Sequence, residues 1–139
     1  MDTKQEIIIN AEKLFLKLGI RSVSMDDISR GLGISKKTLY QHFENKDSLV
    51  ETVIKTHICR DQEEMEIINT ASKNALDELK KMSAHVWEEI KNVSPGALYD
   101  LQKYYRKSWD ILMLEQREHT FECFVKNIER GMKEGLFRE

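Results

Sequence analysis

The sequence predicts an all-α protein. Its 139 residues include a single proline and six glycines, so long stretches contain nothing to stop a helix and too few turn residues for a many-stranded fold. Apolar residues recur three and four positions apart along most of the chain, the spacing of one helix face. Small polar residues able to accept from the free N–H groups of a helix start precede those runs.

The first helix opens on a capping box of Thr3 and Glu6 and carries Ile7, Ile8, Ala11, Leu14, Phe15 and Leu18 at helical spacing. Gly19 ends it where a left-handed residue is needed. Ser24 and Asp27 form a second capping box, for a short helix running to about Gly31 with Met25, Ile28 and, past its end, Leu32 inward. Leu32-Gly33-Ile34 is a tight turn, after which Ser35 caps a third helix whose apolar pair is Leu39 and Phe43. Asn45 caps a long fourth helix reaching about Asn69, with Leu49, Val50, Val53, Ile54, Ile58, Met65 and Ile68 along one face. A break at Thr70-Ala71-Ser72 leads to a fifth helix with Leu76, Leu79, Met82, Val86 and Ile90 inward. Ser94-Pro95 is an N-cap followed by proline at the first helical position, so a sixth helix starts there and covers Leu98 and Leu101. It gives way near Tyr105 to another long helix that ends before Gly135.

A hydrophobic fraction of 40% is enough to build a core, while 33% charged residues and a mean hydropathy of -0.54 indicate a soluble protein. Two cysteines, Cys59 and Cys123, are too few for a disulfide framework and fit a reducing compartment. The N-terminus lacks the apolar run of a signal peptide, and no stretch approaches the length needed to span a membrane, so a cytoplasmic location is expected. The net charge is -2, unevenly spread. Residues 1–60 carry ten Lys/Arg against eight Asp/Glu, and residues 61–139 twelve against sixteen, which makes the halves +2 and -4. Between 30 and 46, Arg30, Lys36, Lys37 and Lys46 face only Glu44. A local basic patch on an acidic protein suits site-selective DNA binding better than sequence-blind binding, which bulk positive charge drives.

Helix, glycine turn, then a polar-basic helix is the arrangement by which a helix-turn-helix presents side chains to the major groove. At about 100° per residue, Leu39 and Phe43 define the buried side of the third helix. Gln41 then lies opposite, with Lys37 and Thr38 beside it and Tyr40 and His42 at the flanks. Lys36 sits at the N-terminal end, where such helices approach base edges. Lysine can donate to guanine O6/N7, glutamine can pair with adenine N6/N7, and threonine or tyrosine can pack on a thymine methyl. Lys46 opens the fourth helix, where its ammonium and the free N–H groups both favour a phosphate.

Residues 1–60 resemble the DNA-binding domain of the TetR (tetracycline-repressor-like) family of bacterial transcriptional regulators. The resemblance rests on Ala11-Glu12-Lys13-Leu14-Phe15, Gly19, the run from Ser24 to Ile28, and the run from Gly33 through Lys46 to Leu49. It implies that Ser24, Ser35 and Lys46 hold phosphates, while Lys36, Lys37, Thr38, Tyr40, Gln41 and His42 supply base and backbone contacts. Ser29, where relatives usually have alanine, and Gly31 depart from the pattern; both are small. The implied organisation is a helix-turn-helix DNA-binding domain at 1–48 and a helical ligand-binding and dimerisation domain at 49–139. The implied function is a ligand-responsive repressor, a homodimer on a palindromic double-stranded operator, released by a small-molecule effector when helix four moves. The last residues resemble the segment that precedes two further helices in relatives, so the chain is expected to be truncated, with an unpaired apolar surface on its final long helix.

For the effector, the ring- and sulfur-bearing residues on the helices that surround the pocket in relatives give Met82, Tyr99, Tyr104, Trp109 and Met113 as candidates, with His85 and Tyr104 as polar contacts. No cofactor is expected. His119 and Cys123 are four apart on one helix, but a metal site needs three or four ligands, and none is expected. The chain has no phosphate-cradling glycine loop and no G-x-S-x-G, so no enzyme is expected. A helical protein-interaction module without operator binding is the competing class; it has no need of Lys36, Lys37 and Lys46.

Overall fold

The computed structural model describes residues 2–138, and Met1 and Glu139, the outermost residues of the two expected domains, lie outside it. Helices α1 (Thr3–Leu18), α2 (Met25–Leu32) and α3 (Lys36–His42) form the N-terminal unit. The long α4 (Lys46–Ala71) leaves it, followed by α5 (Ala75–Lys91), α6 (Pro95–Tyr104), α7 (Arg106–Ile111), a π-helical segment (Leu112–Gln116) and α8 (Arg117–Lys133). Each α-helix up to α6 starts at a side-chain cap, supplied in turn by Asp2, Ser24, Ser35, Asn45, Asn74 and Ser94.

The capping box of α1 is Asp2 with Gln5, one residue earlier than Thr3 with Glu6: Gln5 N donates to Asp2 Oδ1 at 2.8 Å. Both pairs satisfy the same spacing rule, and aspartate is the stronger acceptor next to a helix N-terminus. Gly19 closes α1 at φ 90°, ψ 160°, a positive φ but an extended backbone and not the left-handed helical one. Gly33 does take the left-handed conformation (φ 69°, ψ 27°), with Ile34 N donating to Ser29 O at 3.0 Å, which closes the turn between α2 and α3. Nothing stands within 4 Å of a Cβ placed there, so the backbone alone penalises substitution. Gly33→Ala is expected to destabilise the protein by about 1 kcal/mol, read from urea unfolding midpoints.

One continuous core runs from the N-terminal unit into the second half. Ile7, Ala11 and Phe15 of α1, Ile28 of α2, Leu39 and Phe43 at α3, and Leu49, Val50 and Val53 of α4 meet there with Leu101 of α6. The buried line of α5 differs from the periodicity: Ala75, Glu78 and Met82 point inward, whereas Leu76 and Ile90 are exposed, as is Leu98 on α6. A polar cluster explains the rotation. Glu78 is buried and accepts from Asn69 Nδ2 at 2.5 Å and from Asn127 Nδ2 at 2.7 Å, and Asn127 also donates to Ala75 O at 2.8 Å. A carboxylate satisfied by two amides outweighs two leucine-sized side chains left at the surface.

The last long helix is interrupted by its π-helical segment, where Leu112 and Met113 are both half-buried. Beyond it Phe121, Val125 and Ile128 lie exposed at i, i+4 and i+7 on α8. Among the described residues no helix is long and apolar enough to cross a membrane.

Candidate functional site

The α2–Gly33–α3 unit is held from behind. Leu39 is fully buried and Phe43 nearly so, and with α1 they orient the opposite face of α3 outward. On that face Lys36, Lys37, Tyr40, Gln41 and His42 are exposed and Thr38 is half-buried. Ser24 accepts from Asp27 N at 3.0 Å while its own N–H donates to Asp27 Oδ2 at 2.9 Å. Ser35 Oγ accepts from Thr38 N at 3.1 Å and lies 2.9 Å from Thr38 Oγ1. Both serines therefore fix helix starts, and their exposed hydroxyls keep spare capacity for an outside partner. Lys36 Nζ lies 3.5 Å from Asp26 Oδ1, and Arg30 Nη2 lies 2.5 Å from Asp26 Oδ2. Arg30 first, then Lys36, holds the Asp26 carboxyl below its usual range. These exposed pairs are weak and yield readily to a phosphate.

Lys46 sits elsewhere than its sequence position suggested. Its ammonium turns inward and donates to Ile20 O at 2.6 Å, 5.9 Å from the Phe15 ring. Burial pushes its pKa down, against the pull of Asp100, Asp27 and Asp47. The Ile20 carbonyl, which also accepts from Val23 N at 3.3 Å, stands in the loop after α1 beside the first residue of α4 and gives the half-buried ammonium its acceptor.

α6 grips the same loop from the other side. Asp100 Oδ2 accepts from Arg21 N at 2.9 Å. The Arg21 guanidinium lies over the Tyr104 ring at 4.1 Å and also donates to the Tyr104 hydroxyl. Ser94 N donates to Leu16 O at 3.3 Å.

A cavity of about 610 Å³ opens between α1, α4, α5, α6 and the π-helical segment with the start of α8. Phe15, Val53, Ile54, Leu98, Leu101 and Phe121 are among its apolar walls. Of the ligand candidates read from the sequence, only Met113 lines it. Met82 is buried in the core of α5, and His85 Nε2 lies 2.6 Å from Asp61 Oδ1, both away from the cavity. Tyr99 is exposed and accepts from Lys103, Tyr104 holds Arg21, and Trp109 packs against the core shared with the N-terminal unit. Aromatic and sulfur content marks core and surface as readily as a pocket, which is why those five stand outside this cavity.

The polar end of the cavity is a group that sequence reading did not single out. His57 of α4 lies between two carboxylates, with Nε2 2.9 Å from Glu89 Oε2 on α5 and Nδ1 3.5 Å from Glu12 Oε2 on α1. Arg60 Nη2 donates to both oxygens of Glu12 at 2.6 Å. Glu12 and then Glu89 raise the His57 pKa to about 9, against burial, so the ring is an imidazolium at neutral pH. Burial would raise the Glu12 carboxyl, but His57 and Arg60 together hold it below its usual range. No local signal announces this group, because its members come from three helices. Elsewhere, Cys123 Sγ lies 3.8 Å from His119 Nδ1, and among the described residues no three His, Cys, Asp or Glu side chains are grouped to hold a metal.

Residues 7–53 match the family described as bacterial regulatory proteins, tetR family. The chain is 35% identical over 89 residues to the uncharacterized HTH-type transcriptional regulator YvaF of Bacillus subtilis, which covers 63% of this chain and 47% of that protein. It is 40% identical over 52 residues to IcaR of Staphylococcus aureus, the HTH-type negative transcriptional regulator of the biofilm operon icaADBC, covering 37% of this chain and 28% of that protein. The chain thus spans less than half the length of these relatives. Among solved structures, the TetR family regulator PfmR of Thermus thermophilus superposes with a TM-score of 0.73 at 24% identity, over 96% of this chain and 74% of that one. The ketosteroid transcriptional regulator KstR2 of Mycobacterium tuberculosis gives 0.69 at 20%, over 99% and 71%. At those identities the structures establish the fold alone. The relatives matched are transcriptional regulators and not enzymes.

Proposed function

We propose that this chain, whose helix-turn-helix matches the tetR family of bacterial regulatory proteins over residues 7–53, is a repressor that binds operator DNA through α3 and is released by a small molecule in the cavity. The observation that carries the reading is the outward face of α3. Lys36, Lys37, Gln41 and His42 stand clear of the core that Leu39 and Phe43 enter. A single α3 reads one half-site; a palindromic operator requires two copies with recognition helices about 34–36 Å apart. Ser24, Ser35, Tyr40 and Thr38 surround that face and position it on the backbone.

Release follows from the helices that the cavity shares with the DNA-binding unit. α6 lines the cavity with Ala97, Leu98 and Leu101, and its Asp100 and Tyr104 hold the loop that leads into α2. α4 lines it with Val50, Val53, Ile54 and His57, and it begins at the end of the helix-turn-helix. A ligand that fits better when α4 and α6 shift would favour dimers whose α3 helices are out of step with successive grooves, a population shift between two states.

The test is binding of the protein to the DNA upstream of its own gene, across a salt series. Sequence-selective affinity that falls with salt is expected; its absence would remove the repressor reading and favour a protein-interaction module. Gln41→Ala should relax preference at one base pair, by about 1–3 kcal/mol, whereas Lys37→Ala should change affinity with little change in the other positions preferred. Lys46→Ala is expected to weaken all sequences alike if the ammonium swings from Ile20 O to a phosphate on binding. An unchanged affinity would mean that Lys46 stays inward and only braces α4.

A further inference from the structure

The chemistry of the cavity wall restricts what it can hold. Its apolar part is large and continuous, so the body of a ligand must be hydrocarbon or aromatic. The polar part carries donors and acceptors, and two of its acceptors are uncommitted. Glu89 uses Oε2 on His57 and leaves Oε1 without a hydrogen bond among the described residues. Gln116 also lines the cavity, and its Oε1 is buried without a partner; the terminal amide torsion is soft enough to turn that oxygen to a donor. A buried orphan acceptor costs free energy until a donor meets it. An anionic headgroup brings no proton to donate to either acceptor.

From this arrangement we infer that the cavity takes an amphipathic organic ammonium, an apolar body with a protonated amine that donates to Glu89 and Gln116 and expels the proton of His57. The inference rests on the reading of the cavity as a ligand site. Charge balance supplies the second half. Glu12 and Glu89 are paired with Arg60 and His57, two charges against two, and with Arg117 also on the wall a further cation would add positive charge with no carboxylate left to pair it. Of the two cations, the imidazolium of His57 is the one that can release a proton near neutrality. The imidazolium therefore loses its N–H proton to the buffer as the ammonium arrives, and the ammonium takes over the attraction of Glu89. The groups facing His57 are Glu12 from α1, Arg60 from its own helix and Glu89 from α5, with His85 one turn before Glu89 on α5 and Arg117 of α8 on the cavity wall. A neutral ring no longer ties α1 to α5 by charge, so ligand entry loosens the join between the DNA-binding unit and the second half.

Isothermal titration of the full chain at pH 7.5 with octylammonium, octanoate and 1-octanol, each in phosphate and in Tris, tests this. Octylammonium is expected to bind at least tenfold more tightly than octanoate, and the buffer dependence of the heat should report close to one proton released per amine. Glu89→Gln should weaken octylammonium about tenfold and leave octanol unchanged, and Ala97→Trp, which fills the cavity, should abolish binding of all three. Octanoate binding as tightly as the amine, no binding of the amine, or amine binding without proton release overturns the inference. Mobility of the upstream DNA in the same mixtures keeps the two readings apart. If octanol or octanoate binds and frees the DNA, ligand-driven release stands and the ammonium class falls. If the amine binds with proton release and the DNA stays bound, the class stands and the release reading falls.

Discussion

Leu39→Ala is expected to lower the stability of the protein by about 2–5 kcal/mol and to abolish selective DNA binding, although Leu39 touches no DNA in the proposed mode. Leu39 has no exposed surface and is the one residue of α3 itself that enters the core shared by α1, α2 and α4. A seven-residue helix is too short to persist by its own propensity, so tertiary packing of its apolar side holds it. Truncation removes buried methyl groups and leaves a cavity beneath the recognition face. Thermal melting should shift down by about 10 °C, taking roughly 2–4 °C per kcal/mol for a chain of this size. Unchanged melting with lost DNA binding would place Leu39 in the interface instead of the core.

His57→Ala is the second large effect, and its signature is a change in pH dependence. The folded-state pKa of His57 is about 9, above the ordinary 6.5. The imidazolium therefore contributes fully below pH 6.5, and its contribution fades as pH rises through 9. A shift of that size corresponds to about 3 kcal/mol. Urea unfolding of the wild type should show stability falling by about that amount between pH 6 and pH 10. His57→Ala should be destabilised by a similar amount at pH 6, because Glu12 and Glu89 lose their shared partner, and the fall above pH 6.5 should largely vanish. Parallel pH profiles for the two proteins would show that the charge of His57 does not join the helices.

The helix-turn-helix was legible because its determinants are local. Ser24 with Asp27, Gly33, Ser35 and Asn45 fix helix starts and the turn within a few residues, and the pair Leu39 and Phe43 gives the third helix one buried side. Where two local solutions met the same rule the choice was not legible: Asp2 with Gln5 caps α1 although Thr3 and Glu6 share the spacing. The register of α5 escaped for another reason. Glu78 turns inward to meet Asn69 and Asn127, and a hydrophobicity pattern scores a glutamate as outward whatever partners await it.

Thus the sequence by itself determined the all-α class, the capped starts of α1, α2, α3, α4 and α6 to within a residue, and the outward face of α3, each the work of neighbours three or four positions apart. The tertiary structure alone decided what α4 and α6 hold between them. Lys46 turns to Ile20 O because the loop after α1 lies beside it. The cavity forms where a π-helical segment and α5 stand off from α1 and α4, and Glu12, His57 and Glu89 meet at its edge from three helices. A pKa of about 9 on a histidine is a property of that meeting, and distance between helices carries no trace in the spacing of residues along one of them.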